Sequence, residues 1–227
     1  QYALLRLRGT GFDALGDAAR AGGAIQRYQA ITYLGRLKTE AALARLRELL
    51  EPDGEAEVLI YTLKALGSKM DSSFMPRLEP LLAHAHPGVR RQTVLAMGRL
   101  PAGTALKRVA ALCVDADPLV QLAAAAAVHR LGSGQCGEVF AAALGHPDYG
   151  VRSVAARLLG ETALPDRPQL LKRALDDPNS RVRTAAVRAT GKMGGPAAFP
   201  LLLGKLSDSV EVIRAYAAGY LLKLLKP

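Results

Sequence analysis

The chain has 227 residues and a formal net charge of +10; half of its residues are hydrophobic, only 5% are aromatic, and Trp is absent. That apolar fraction excludes a disordered chain. Few aromatics beside abundant Ala and Leu argue for helix over sheet, and the longest apolar runs fall short of a membrane span.

The opening segment, Gln1–Arg8, reads as the last turns of a helix followed by Gly9-Thr10-Gly11. It has no initiator Met and no signal-peptide pattern, so the sequence is expected to begin inside a longer protein or after processing. Next comes a repeat of 31 residues. Val58, Val89, Val120, Val151, Val182 and Ile213 anchor it. Four residues beyond each anchor are Thr62, Thr93, Ala124, Ala155, Ala186 and Ala217, small enough to let helices approach closely. A preceding helix repeats Leu78, Val109, Phe140, Leu171 and Leu202 at the same period.

Each unit therefore reads as helix A, short turn, helix B, linker. A helices are predicted at 12–20, 39–50, 72–84, 103–114, 135–145, 166–175 and 196–206. B helices are predicted at 24–37, 56–67, 88–100, 119–131, 150–161, 181–193 and 211–225. Asp53, His84, Asp115, His146, Asp177 and Asp208 punctuate the A-to-B turns. Prolines beside several of them end helix A and open helix B, with Asp as a cap. No such helix buries its apolar stripe alone. The expectation is an all-α, right-handed solenoid of antiparallel helix pairs, one domain over 1–227 with about seven repeats, the first truncated or degenerate. Cys113 and Cys136 are too few for a disulfide framework or a zinc site and are expected to be buried free thiols.

Helix B opens with Val89-Arg90, Val151-Arg152, Val182-Arg183 and Ile213-Arg214, and Val151 to Gly160 is Ala-rich and ends in Leu159-Gly160. On these residues the chain resembles HEAT repeats, and most closely the short HEAT-like repeats named after phycobilisome bilin lyases, over about residues 24–225. The resemblance implies a fold that serves scaffolds, adaptors, lyases and nucleic-acid enzymes alike. Arg90, Arg152, Arg183 and Arg214, with Asp177 and Asp208, are expected to tie neighbouring units together by charge-assisted hydrogen bonds. Leu59 and Gln121 interrupt that arginine column.

With the anchors facing the core, helical geometry turns positions six and ten beyond them outward. Position six reads Lys64, Leu95, Ala126, Arg157, Arg188 and Gly219; position ten reads Ser68, Arg99, Arg130, Glu161, Lys192 and Lys223. B helices line the concave surface in proteins resembling this one. Arg99, Arg130, Arg157, Arg188, Lys192 and Lys223 thus form a candidate basic face, interrupted by Glu161. It reads either as a solvated surface or as a groove for an acidic protein segment or a polyanion. Aromatic residues are not expected beside these cations: Phe140 and Phe199 read as A-helix core, and Tyr216 and Tyr220 as packing of the last unit.

No residues are assigned to catalysis, a metal or a cofactor. His84 and His86, the only histidine cluster, read as turn or capping groups. Helical-repeat hydroxylases that bind iron use His-Glu pairs, and this chain has no His-Glu dipeptide. Gly191 to Gly195 reads as a helix end rather than a phosphate loop. The expected function is a noncatalytic protein–protein interaction scaffold or adaptor, whose partner is another protein or an acidic segment of the same longer protein. The alternatives are a polyanion- or nucleic-acid-binding module, or an accessory subunit of an enzyme such as a bilin lyase. No membrane insertion is expected of this segment, and the cytoplasm is favoured as its compartment.

Overall fold

A computed structural model of the chain describes residues 2–37, 39–100 and 102–225, with side chains at all of these but 2–10, 68 and 102–104. Gln1 of the opening segment and the side chain of Ser68 in the position-ten column therefore lie outside the described residues. The described residues are helical with no strand, in two compact units spanning 1–105 and 106–227.

The first unit opens with α1 (Tyr2–Ala21), which runs unbroken through Gly9 and Gly11, where a break was expected. Each glycine costs a helix about 1 kcal/mol, which packing can offset, and α1 packs on both α2 (Ala24–Arg36) and α3 (Glu40–Glu48). Arg45 on α3 bonds Asp13, and Arg20 bonds Glu48 at 2.8 Å. Thr39 caps α3, its hydroxyl accepting from the Ala42 N–H. In α4 (Ala56–Leu66) the fully buried position is Leu59, while the expected anchor Val58 is only partly covered. The step from Leu59 to Val89 is 30 residues, so the first interval is one residue short and Leu59 is an anchor rather than a gap in the arginine column.

The helix expected at 72–84 is broken into 3-10 turns at Ser72–Phe74 and Pro80–Ala83 around the short α5 (Met75–Leu78). Pro80 supplies no N–H and its ring crowds the carbonyl four residues back. Then α6 (Pro87–Met97) begins at a His86 cap, whose Nδ1 accepts from the Gly88 N–H at 3.1 Å.

The division between the units falls inside α7 (Ala102–Ala110). The second unit continues with a 3-10 turn at Ala111–Val114, α8 (Pro118–Arg130), α9 (Glu138–Ala143), α10 (Tyr149–Leu159), α11 (Arg167–Leu175), α12 (Ser180–Met193), α13 (Gly195–Leu203) and α14 (Glu211–Leu224). Each B helix packs on the A helix before it and on the neighbouring B helices: α10 lies against α8, α9, α11 and α12, and α12 against α11, α13 and α14. Phe140, Leu171 and Leu202 are fully buried, as are Ala124, Ala155, Ala186 and Ala217 opposite them in the repeat.

Three expectations fail in this unit. Cys113 and Cys136 are not free thiols but a disulfide, with Cα atoms 6.1 Å apart. Cys136 stands in the loop before α9, at φ 64°, and not in a helix; α9 accordingly starts late, and that loop turns back beside Cys113. Ala126 is buried instead of facing outward, because α8 is apolar on every side from Leu122 to Val128. Phe199, read as core, is 38% exposed.

Candidate anion-binding face

Every A-to-B turn from His84 onward is built in one way. The side chain of the punctuating residue accepts a hydrogen bond from the N–H two residues on: His84 from His86, Asp115 from Asp117, His146 from Asp148, Asp177 from Asn179 and Asp208 from Val210. That turn moves the cap of α10 to Asp148 and of α12 to Asn179, beyond Pro147 and Pro178. Among these turns, Asp117-Pro118 and His86-Pro87 do have proline as the first helical residue after the cap.

The arginine that follows four of the anchors reads this turn. Nη1 of Arg152 donates to the carbonyls of His146 and Pro147, and the same bonds recur from Arg90, Arg183 and Arg214 to their own turns. The other edge of the guanidinium crosses to the next repeat. Arg152 makes a bidentate pair with Asp177 at 2.7 and 3.1 Å, and Arg183 with Asp208 at 2.9 and 3.0 Å. Bonds from Arg183 hold the Asp208 carboxyl below its ordinary pKa against the opposing effect of burial. At Asp177 burial acts upward, and the Arg152 and Asn179 hydrogen bonds with the Arg152 and Arg183 charges outweigh it.

The B-helix surface of the second unit carries a different arrangement. Arg157 on α10 and Arg181, Arg188 and Lys192 on α12 line a cleft of about 250 Å³, floored by Ser153, Thr184, Ala185 and Ala189. At Gly160 the end of α10 approaches α12 closely, since a Cβ there would fall 2.8 Å from the Ala189 Cα. Glu161, just beyond α10, is the common carboxylate for three cations: Arg130 at 3.0 Å, Arg157 at 3.7 Å and Lys192 at 4.0 Å. The lining itself, among the described residues, contains no acid.

Of the six cations of the expected face, the cleft gathers Arg157, Arg188 and Lys192, and Glu161 connects Arg130 to Arg157 and Lys192. Lys223 is exposed on α14 outside the cleft, and Arg99 belongs to the first unit, in the turn after α6. Arg181 was missed. It precedes an anchor, outside the columns at six and ten, but the start of α12 directs it to Tyr149, 3.1 Å from the hydroxyl and 5.7 Å from the ring centroid. Tyr216 does not simply pack the last unit: it lies 37% exposed beneath the Arg188 guanidinium. Aromatic residues do stand beside basic ones, on α2 and α4 as well, where Tyr28 and Tyr61 share a cleft with Arg36 and Lys64.

Comparison with known proteins agrees with the helical geometry. A family model for HEAT repeats matches residues 137–222, and one for the PBS lyase HEAT-like repeat matches residues 26–52. Over those matched residues the chain is built of HEAT repeats. Its repeat fold is shared with the complex of CpcE and CpcF of phycocyanin lyase from Nostoc sp., at 20% identity, with a TM-score of 0.58 and 94% of each chain covered. It is shared also with human deoxyhypusine hydroxylase in complex with glycerol, at 17% identity, a TM-score of 0.52 and 99% of each chain covered. No curated protein matches the sequence. At these identities the likeness is one of fold. Among the described residues, no three His, Cys, Asp or Glu side chains gather where they could hold a metal ion. No described helix is long and apolar enough to cross a membrane.

Proposed function

We propose that this HEAT-repeat chain is an interaction module that takes an acidic segment of a protein partner across the B-helix face of its second unit. One observation carries the reading: Arg157, Arg181, Arg188 and Lys192 converge on one cleft whose described lining has no carboxylate. Four cations on two rigid helices focus a field that the same charges scattered would not. Glu161 then acts as a resident counter-ion, and incoming carboxylates take over Arg130, Arg157 and Lys192 from it.

The test is the double substitution Arg157→Glu with Arg188→Glu, read by binding of a labelled acidic peptide at low salt. Each exposed ion pair is worth up to about 1 kcal/mol, so loss of two, with the repulsion that charge reversal adds, is expected to weaken binding about tenfold or more. Equal binding by both forms rejects the groove. The same acid-free lining also favours a second reading, a nucleic acid or other polyanion. Preference for duplex or single-stranded nucleic acid over the peptide, with a steep loss of affinity in salt, would select it.

A further inference from the structure

The first unit has its own cleft on the B-helix side, between α2 and α4, and its chemistry differs. It encloses about 470 Å³ and is lined by Tyr28, Thr32, Arg36, Tyr61, Lys64 and Ala65 around Gly35. At the base the helices touch: a Cβ on Gly35 would fall 2.8 Å from the Ala65 Cβ. Above that contact the Tyr28 and Tyr61 rings meet edge to face, 5.0 Å between centroids and 68° between planes. An edge-to-face corner presents the open face of one ring beside the edge of the other, which suits a third planar ring. Tyr28 is 49% exposed, a large aromatic left in water. Lys64 Nζ lies 5.7 Å from the Tyr61 centroid, and the Arg36 guanidinium 5.9 Å from that of Tyr33. The described lining has two cations, the hydroxyls of Thr32 and the two tyrosines, and no carboxylate.

We infer that this cleft is a binding site for a nucleoside phosphate, either free or as one residue of a single strand. The base stacks in the Tyr28–Tyr61 corner, and the phosphate takes Arg36 and Lys64, with the Thr32 hydroxyl in reach of the sugar or phosphate. Aromatic stacking beside a cationic groove is the combination that holds a base and its phosphate without reading sequence. Two cations match a phosphate better than a single carboxylate, and the tyrosine corner demands a planar group that inorganic phosphate or an acidic aliphatic side chain does not have. The cleft of the second unit has no aromatic residue in its described lining, so the two clefts select different anions.

Isothermal titration calorimetry on the intact chain tests this, with adenosine monophosphate, adenosine, inorganic phosphate, a single-stranded oligonucleotide and a tyrosine-containing acidic peptide. The monophosphate is expected to bind at least tenfold more tightly than adenosine or phosphate alone. Base–aromatic stacking is worth about 1–3 kcal/mol, so Tyr28→Leu is expected to weaken it roughly fivefold or more, as is the exposed Lys64→Ala. Arg157→Glu with Arg188→Glu is expected to leave it unchanged, which separates this site from the other. Tighter binding of the oligonucleotide assigns the source as a strand, and tighter binding of the monophosphate as a free nucleotide. The inference is overturned by absence of binding, by phosphate or adenosine binding as well as the nucleotide, by variants that bind as wild type, or by the peptide binding more tightly.

Discussion

Asp208 and Arg183 are 5% and 13% exposed and satisfy each other through two hydrogen bonds. Because Arg183 lowers the Asp208 pKa, the unfolded chain binds the proton first as pH falls. The pair's stabilisation is therefore whole above about pH 4 and is lost as pH drops through the folded pKa. Asp177 carries the same sign. His129 behaves alike at higher pH: burial, against the Asp166 and Glu138 charges, pushes its pKa below 6.5, so stability begins to fall once the unfolded imidazole protonates. A melting-temperature profile is expected to be flat above about pH 7, to decline below 6.5 and to steepen below 4. Asp208→Asn should flatten the acid limb and cost about 3 kcal/mol at neutral pH, since it leaves Arg183 without its counter-charge. An acid limb unchanged in that variant would contradict this account. The arginine and aspartate columns were readable because the repeat places them at constant offsets. Their partners' distances depend on the turn, whose two-residue acceptor geometry has no unique sequence mark: His84 and Asp115 serve it equally.

At the scale of elements, B helices were the more legible. Their 3.6-residue periodicity, buried on one face and solvated on the other, left ends within about three residues of expectation. The A helices were less so, for local reasons: Pro80 splits one, and the positive φ of Cys136 delays another. Leu171 shows what an A helix contributes. It is fully buried on α11, which packs on α10, α12 and α13. Leu171→Asp would bury a carboxylate with no counter-charge designed for it and remove an apolar side chain from the core, effects of several kcal/mol. Circular dichroism should show a large loss of helicity or a sharply lowered melt, whereas an unchanged melt would refute the packing.

For the molecule as a whole, repeat construction confines perturbations to neighbours. The Cys113–Cys136 disulfide lies wholly in the second unit, with a sequence separation of 23. Closing a loop of that size contributes about 3 kcal/mol in the chain-entropy picture. Reduction is therefore expected to lower hydrogen-exchange protection around α8 and α9 while leaving α2 and α4 as they were. Equal loss in both units would show that the chain does not behave as a nearest-neighbour array.

Repeat period, helix pairing, the buried columns and most of the outward cations follow from residue order alone, because helix periodicity and nearest-neighbour stacking are local rules. Three features needed the folded chain. The disulfide joins a 3-10 turn to a loop at a spacing unrelated to the repeat. Glu161 collects three cations from three helices, turning an apparent interruption of the face into its counter-ion. Tyr28 and Tyr61, 33 residues apart and in no common column, meet because α2 and α4 touch at Gly35 and Ala65. Side chains on different helices meet according to how closely and at what rotation those helices pack, and that is set by the sum of contacts along the interface rather than by any one position in the chain.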